Sequence, residues 1–310
     1  MNLAPIVLFV YNRPLHTEQT LNALMQNDLA DQSVLYIYAD GPKENASEEQ
    51  IKKIQEVRSL LRAKKWCEEV NIIEAEKNKG LADSIIAGVT EILNRYGKVI
   101  VLEDDIVTSR QFLMFLNKAL ELYEKEEIVF GISGFTYPSK FAISDTHFLP
   151  IGCSWGWATW KSRWKSINFD ADYLQNEIAL QKKKLQFDFG NYPFCRTLED
   201  QASGRINSWA IRYYASFFLQ EKIFMYPQKS LVVNIGFDDN GTHTSSSDNF
   251  FDQVVRGEIN FRFKKPGFDQ NTENIRNKFI EQFYRKGNGM TTSPLSIAKK
   301  LYFKIKKIVE

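Results

Sequence analysis

Five short apolar runs, separated by stretches with helical patterning, occupy the first 135 residues, and this alternation sets the class of fold. The runs are APIVLFVY, SVLYIYAD, VNIIEA, KVIVLE and IVFGISG. Each has strand length, and their nearly continuous apolar character is that of strands covered on both faces. Between the first two, Asn12, Arg13 and Pro14 open a predicted helix through about Gln26, with Leu21, Leu24 and Met25 at i, i+3, i+4 spacing. Ser47 and Gln50 have the form of a capping box and start a helix to about Lys65. Gly80 precedes a helix over Leu81–Arg95, and Ser109 is placed to cap another that runs to about Lys125. No hairpin signal interrupts the series. The predicted fold class is α/β, a mostly parallel sheet flanked by helices.

Ligands of such sheets bind in the crevice beyond the carboxyl ends of the strands. Polar residues gather at those ends: Asn12 and Arg13 after the first run, Asp40 after the second, Asn78 and Lys79 after the third. The fourth run ends in three consecutive carboxylates, Glu103, Asp104 and Asp105. Adjacent like charges repel and resist leaving water, so a positive partner is expected there. Along an extended strand Glu103 and Asp105 share a face while Asp104 turns away. That set suits a hard divalent cation, Mn²⁺ or Mg²⁺, shared with phosphate oxygens. The plainer alternative is an acidic turn that caps the helix after Ser109.

Composition narrows the partners. Forty basic against 38 acidic residues leave a net charge of +2, without the basic field that a nucleic-acid partner needs. The three histidines, His16, His147 and His243, are not paired at ligand spacing, which excludes structural zinc. Cys67, Cys153 and Cys195 form no CxxC and follow no signal-peptide pattern, so free thiols in a reducing cytoplasm are expected. No window reaches the roughly 18 apolar residues of a spanning helix.

Beyond Phe135 the alternation loosens and aromatic residues accumulate. CSWGWATWKSRW holds four tryptophans, a helix is predicted from Trp209 to about Glu221, and SLVVNIG reads as a strand. Trp160 and Trp164, at i, i+4, are expected on one buried helix face. Trp155 and Trp157 flank Gly156 in a turn whose flat rings would suit a sugar face. From Phe237 to Asn249 the composition is that of a mobile loop. The terminal SPLSIAKKLYFKIKKIVE is a basic amphipathic pattern; peripheral contact with an anionic membrane and docking on the domain are both open.

The LEDDI that ends the fourth strand resembles the DxD-type motif of GT-A fold glycosyltransferases, in the form found in N-acetylglucosaminyltransferase I-like enzymes. VLFVYNRP, YADGP and NKGLADSIIAG are similar to the segments expected before that motif. SWGWATWKSRW, NSWAIRYYASFFL and YPQKSLVVNIGFDDNGTH resemble the acceptor half of bacterial sugar transferases of this group, so the likeness spans roughly residues 3 to 245. It implies one GT-A (Rossmann-like) domain over residues 1–290, with a nucleotide-sugar half (1–134), an acceptor half (135–290) and a C-terminal helix (291–310). The implied activity is inverting, metal-dependent transfer from a nucleotide-sugar such as a UDP-sugar to a saccharide or lipid-linked acceptor, in bacterial surface-polysaccharide or glycolipid synthesis; the expected place is the cytoplasm, with the inner face of the membrane left open by the terminal helix.

The resemblance also implies roles. Asp105 would ligate Mn²⁺ or Mg²⁺, with His243 as a second contact from the C-terminal side. Glu103 and Asp104 would touch donor sugar and ribose, Asp40 the base or ribose, and Arg13 the phosphates, beside Asn12 and aided by Lys79. Trp155, Gly156, Trp157 and Trp209 would line the acceptor. An acid is expected just before SWAIR, but Asn207 stands there, and an amide cannot be a general base. Asp200 is then the first candidate, with Glu199 or Asp239 behind it. Two other classes stay open: a nucleotidylyltransferase, although no glycine-rich basic loop follows the first strand, and a non-catalytic nucleotide-sugar-binding relative, which Asn207 permits.

Overall fold

A computed structural model of the chain describes residues 2–190, 192–236, 259–267 and 270–287. The five expected strands all form: β1 (Ile6–Val10), β2 (Val34–Ala39), β3 (Glu69–Glu74), β4 (Lys98–Glu103) and, after a short β5 (Ile106–Thr108), β6 (Val129–Ser133). Four helices connect them: α1 (Pro14–Met25), α2 (Glu48–Leu61), α3 (Leu81–Tyr96) and α4 (Phe112–Leu122). The second half adds β7 (His147–Leu149), β8 (Trp157–Trp160), α5 (Lys161–Trp164), α6 (Ala171–Leu180), α7 (Lys184–Phe187), α8 (Phe194–Ala202) and α9 (Trp209–Leu219). β9 (Ile223–Tyr226), β10 (Val232–Asn234) and α10 (Gln270–Gly287) follow.

The local signals explain most of the boundaries. Pro14 occupies the first turn of α1, where its missing N–H is no loss. The Ser47 hydroxyl accepts from the Gln50 N–H at 3.3 Å while the Gln50 side chain accepts from the Ser47 N–H at 3.0 Å, a complete capping box. α2 nevertheless ends at Leu61, short of Lys65. α3 stops at Gly97, whose φ of 81° closes the helix in the left-handed conformation. Ser109 is not the cap expected of it: α4 begins at Phe112, and the Ser109 hydroxyl is buried without a hydrogen-bond partner among the described residues.

The sheet has the order β3-β2-β1-β4-β8-β6-β9-β7. β3, β2, β1 and β4 are mutually parallel, as expected. The sequence gives no warning that β8, from the tryptophan-rich stretch, is inserted antiparallel between β4 and β6, with Ala158 opposite both Ile100 and Ile132. Its pairing is non-local, so no short-range pattern announces it. Successive residues of β8 face opposite sides of the sheet. Trp160 therefore lies on the face covered by α1, α2 and α4, donating to the Leu120 carbonyl at 3.1 Å. Trp164 lies on the other face, under α3, α6 and α9, donating to Thr90 Oγ1 at 2.8 Å. The single helix face expected for this pair is thus two faces of one sheet, because the strand ends at Trp160 and α5 begins one residue later.

A separate ribbon pairs β5 antiparallel with β10, Val233 opposite Val107. It continues one residue further, where the Ile235 N–H donates to the Asp105 carbonyl at 2.8 Å. Chain from residues 232–236 is thereby laid against the acidic turn. All three cysteines are free thiols, and among the described residues no helix is long and apolar enough to cross a membrane.

Candidate functional site

β1 and β4 pair in parallel with Phe9 opposite Glu103, so the two strands end together and their following turns share one rim. The turn after β1 is short, Tyr11 to Arg13, before Pro14 starts α1. The turn after β4 carries Asp104 and Asp105, its geometry held by Thr20, whose hydroxyl donates to the Asp104 carbonyl at 2.8 Å. Arg13 reaches across: its Nη1 donates to Asp105 Oδ2 at 2.9 Å and stands 3.9 Å from Asp104 Oδ1. The expected positive partner is Arg13 itself.

One guanidinium does not balance three carboxylates. The side chains of Asp104 and Asp105 are only 13% and 14% exposed. Burial, and then the neighbouring charges of Asp105 and Asp104, push Glu103 up to about 8 against the pull of Arg13. Asp104 is pushed up to about 7, again by burial first and the Asp105 charge second, with Arg13 and His16 opposing. Asp105 is also raised by burial, although the Arg13 charge and hydrogen bond lower it. Its Oδ1 is buried with no hydrogen-bond partner among the described residues. A buried anionic oxygen left in this state calls for a cation.

Several residues that build this site carry no obvious mark in the sequence. Gly236 follows β10 so closely that a Cβ there would lie 1.9 Å from Asp105 Oδ2 and 2.9 Å from Arg13 Nη1. Only glycine fits beside the Arg13–Asp105 pair. His16 stands one turn after Arg13 on α1, with Nε2 3.2 Å from the Ile235 carbonyl, and its charge acts on Asp104 and Asp105. The i, i+3 spacing of Arg13 and His16 was the available signal. Cys153 lies within the field of Glu103 on the β8 side, its thiol pushed to about 12 chiefly by burial.

Asp40 has a different place from the one expected. Oδ1 accepts from the Gly41 and Lys79 N–H groups at 2.8 Å each, and Oδ2 accepts from Asn78 Nδ2 at 2.9 Å and the Gly80 N–H at 3.0 Å. Four donors fill the roughly four lone-pair sites of a carboxylate. Asp40 ties the end of β2 to the loop that enters α3, which leaves nothing for a base or ribose. Lys79 contributes its backbone there and its side chain is exposed; Asn12 is half-exposed in the β1–α1 turn. Tyr11 bridges the two regions, its hydroxyl buried without a partner among the described residues and raised by burial and then by Asp40.

The aromatic candidates divide. Trp155 is half-exposed and meets Phe135 edge-on at 4.7 Å, close to Cys153 and the rim. Gly156, at φ 61°, is buried, and a Cβ there would press on Phe112 and Val232. Trp157 and Trp209 are corrected from acceptor residues to core: they are 0% and 3% exposed and stack on each other at 5.2 Å. Strand alternation turns Trp157 into the α3–α9 layer, away from any opening.

Neither candidate base joins the cluster. Asp200, near the end of α8, is held by Arg205 through Oδ1, and Glu199 is exposed. Among the described residues no hydrogen bond or ion pair links either to the acidic turn. Asn207 accepts from Arg212 Nη2 at 3.1 Å, and Arg212 in turn feels the charge of Asp83 in the first turn of α3. His243, Asp239, the 237–249 stretch and the 291–310 segment lie outside the described residues.

Residues 2–145 match a family model described as nucleotidyl transferase, somewhat under half of the chain. The match covers β1 to β6 and the whole acidic rim. No curated protein matches. Among solved structures the chain is similar to S. aureus TarS 1–349, at 10% identity and a TM-score of 0.40, over 76% of this chain and 61% of that one. A longer S. aureus TarS structure is similar at 11% identity and a TM-score of 0.38, over 74% of this chain and 36% of that one. The chain therefore spans less than two thirds of either. The fold is α/β, and the match to the nucleotidyl transferase model falls in its first half. The narrower N-acetylglucosaminyltransferase I-like group is not what the family model matches.

Proposed function

We propose that the rim binds the diphosphate of a nucleotide-sugar and that the chain transfers the sugar to a hydroxyl of a saccharide or lipid-linked acceptor. The observation that carries this reading is the buried oxygen of Asp105 without a hydrogen-bond partner among the described residues, inside three carboxylates that Arg13 and, more weakly, His16 offset. All the donors are hard oxygens, which fits Mn²⁺ or Mg²⁺. Among the described residues no three His, Cys, Asp or Glu side chains are arranged to enclose a metal. An ion here would therefore be taken by one or two carboxylates and completed by phosphate and water. Asp105 would hold it, beside Glu103 or Asp104, and the ion would supply the charge that stabilises the departing diphosphate.

The chain's own residues do the remaining work. Arg13 would turn one face of its fork to the phosphates while the other keeps Asp105 in place. Asp40 orders the 78–80 loop at the rim, and Gly236 lets the backbone close on the pair. The half-exposed Trp155 would meet the acceptor from the β8 side.

The family match supports a second reading, a nucleotidylyltransferase, which would join a nucleoside triphosphate to a sugar phosphate. Against it stands the β1–α1 turn: three residues, none of them glycine, give little backbone to wrap a triphosphate. Incubation with radiolabelled nucleotide-sugars and Mn²⁺ tests the proposal. Donor-dependent product or hydrolysis, lost in Asp105→Ala, supports it. Pyrophosphate release from a nucleoside triphosphate and a sugar 1-phosphate, with no use of nucleotide-sugars, would replace it by the rival.

A further inference from the structure

The two most exposed large apolar side chains among the described residues are Leu185 and Leu180, at 75% and 74%. They flank Gln181-Lys182-Lys183-Lys184 at the corner between α6 and α7, and residues 180–187 contain no acid. Lysines past the last turn of α6 are what its C-terminal dipole favours. That does not explain two leucines held out in water beside them.

The ground behind Leu185 is also unusual. A cavity of about 440 Å³ opens there, lined by Phe189, Phe218 and Ile280 on its apolar side and by Lys183, Lys222 and Arg276 on its charged side. Glu221 is the one acid lining the cavity and pairs with Lys183 at 2.8 Å, while Arg276 pairs through Nη2 with Glu273 at 2.9 Å and keeps only a buried Nε with no hydrogen-bond partner among the described residues. Among the described residues, three of the four non-glycine positions with positive φ lie on or next to this cavity: Lys182 (55°), Phe189 (38°) and Glu221 (54°). Backbone held in that region persists where the surroundings enforce it.

From this juxtaposition we infer that the α6–α7 corner is a docking surface for an anionic lipid bilayer. Leu180 and Leu185 enter the interface between headgroups and acyl chains, Lys182 and Lys184 meet the lipid phosphates, and the cavity behind them seats a headgroup against Lys222 and Arg276. Exposed leucines beside a basic run with no acid are the chemistry that an anionic membrane surface recognises. The surface is separate from the rim: Glu221 and Lys222 immediately precede β9, which runs in the direction of β6 and β4, so they lie at the strand starts and Glu103 at the strand ends.

Co-sedimentation of the full chain with vesicles tests this, using phosphatidylcholine alone or with one third phosphatidylglycerol. Binding to the anionic vesicles only is expected. Lys182→Gln with Lys184→Gln should weaken it about 25-fold, since one lysine near such a surface contributes roughly a factor of five. Leu180→Ser with Leu185→Ser should weaken it at least tenfold. All four positions are exposed, and an unchanged melting temperature confirms that the variants fold. Asp105→Asn should bind vesicles like the parent, which separates this surface from the donor site. Failure to bind anionic vesicles, equal binding to neutral ones, or binding indifferent to both double variants would overturn the inference. So would self-association lost in the leucine variant without vesicle binding, which assigns the face to a second copy of the chain.

Discussion

Replacing Asp104 by asparagine should make the metal-free protein more stable, and increasingly so as the pH rises. The amide keeps the size of the side chain and an oxygen for the Tyr11 N–H; it gives up a 3.9 Å approach to Arg13 and the weaker attraction of His16. In the folded protein Asp104 is pushed from its ordinary value of 3.8 up to about 7. The stability that goes with the retained proton is fully present below pH 3.8 and is lost as the pH rises through 7. From pH 5 to pH 8 the loss is about 2–3 kcal/mol in all, most of it before pH 7. Asparagine has no such loss. With an unfolding entropy near 2.1 cal/mol/K per residue, a chain of this length converts that difference into about 4 °C. Scanning calorimetry in EDTA at pH 5 and pH 8 should therefore find the advantage of Asp104→Asn about 4 °C larger at pH 8. An advantage that does not change with pH, or a parent protein that gains stability from pH 5 to pH 8, would refute the electrostatic reading of the rim.

Other perturbations separate the site from its supports. Gly236→Ala places a methyl 1.9 Å from Asp105 Oδ2 and should cost about 1–3 kcal/mol in a melt and weaken nucleotide-sugar binding more than tenfold by calorimetric titration. Asp40→Ala strands four donors and should cost about 2–4 kcal/mol, whereas a base- or ribose-contacting residue would lose affinity with little change in stability. Asp200→Asn breaks an exposed pair with Arg205 and should change the melting temperature by less than about 2 °C, as exposed pairs contribute about 0–1 kcal/mol. Transfer within twofold of the parent is expected as well; loss of transfer would restore Asp200 as the base.

The first half of the fold was legible because its information is local. Capping boxes, a proline in a first helical turn, a glycine after α3 and strand-length apolar runs act within a few residues. The acidic rim was legible for a related reason: in a parallel sheet the strand ends meet whatever the side chains are. What escaped depends on distant segments. β8 enters beside β4 from more than 50 residues along the chain and only after β6 in sequence, and it is this insertion that buries Trp157 and parts Trp160 from Trp164. Gly236 meets Asp105 only because β10 pairs with β5. Asp40 read as a ligand because an acid at a strand end and an acid that caps a neighbouring loop look the same in one dimension.

The most direct measurement is diffraction at the manganese absorption edge from crystals grown with Mn²⁺ and a nucleoside diphosphate. An anomalous peak bonded to Asp105 Oδ1 and to the diphosphate, with Arg13 on the same phosphates, is the expected result. A diphosphate bound away from residues 103–105, or bound at the rim with Asp105 still facing Arg13 alone and no anomalous density, would contradict it.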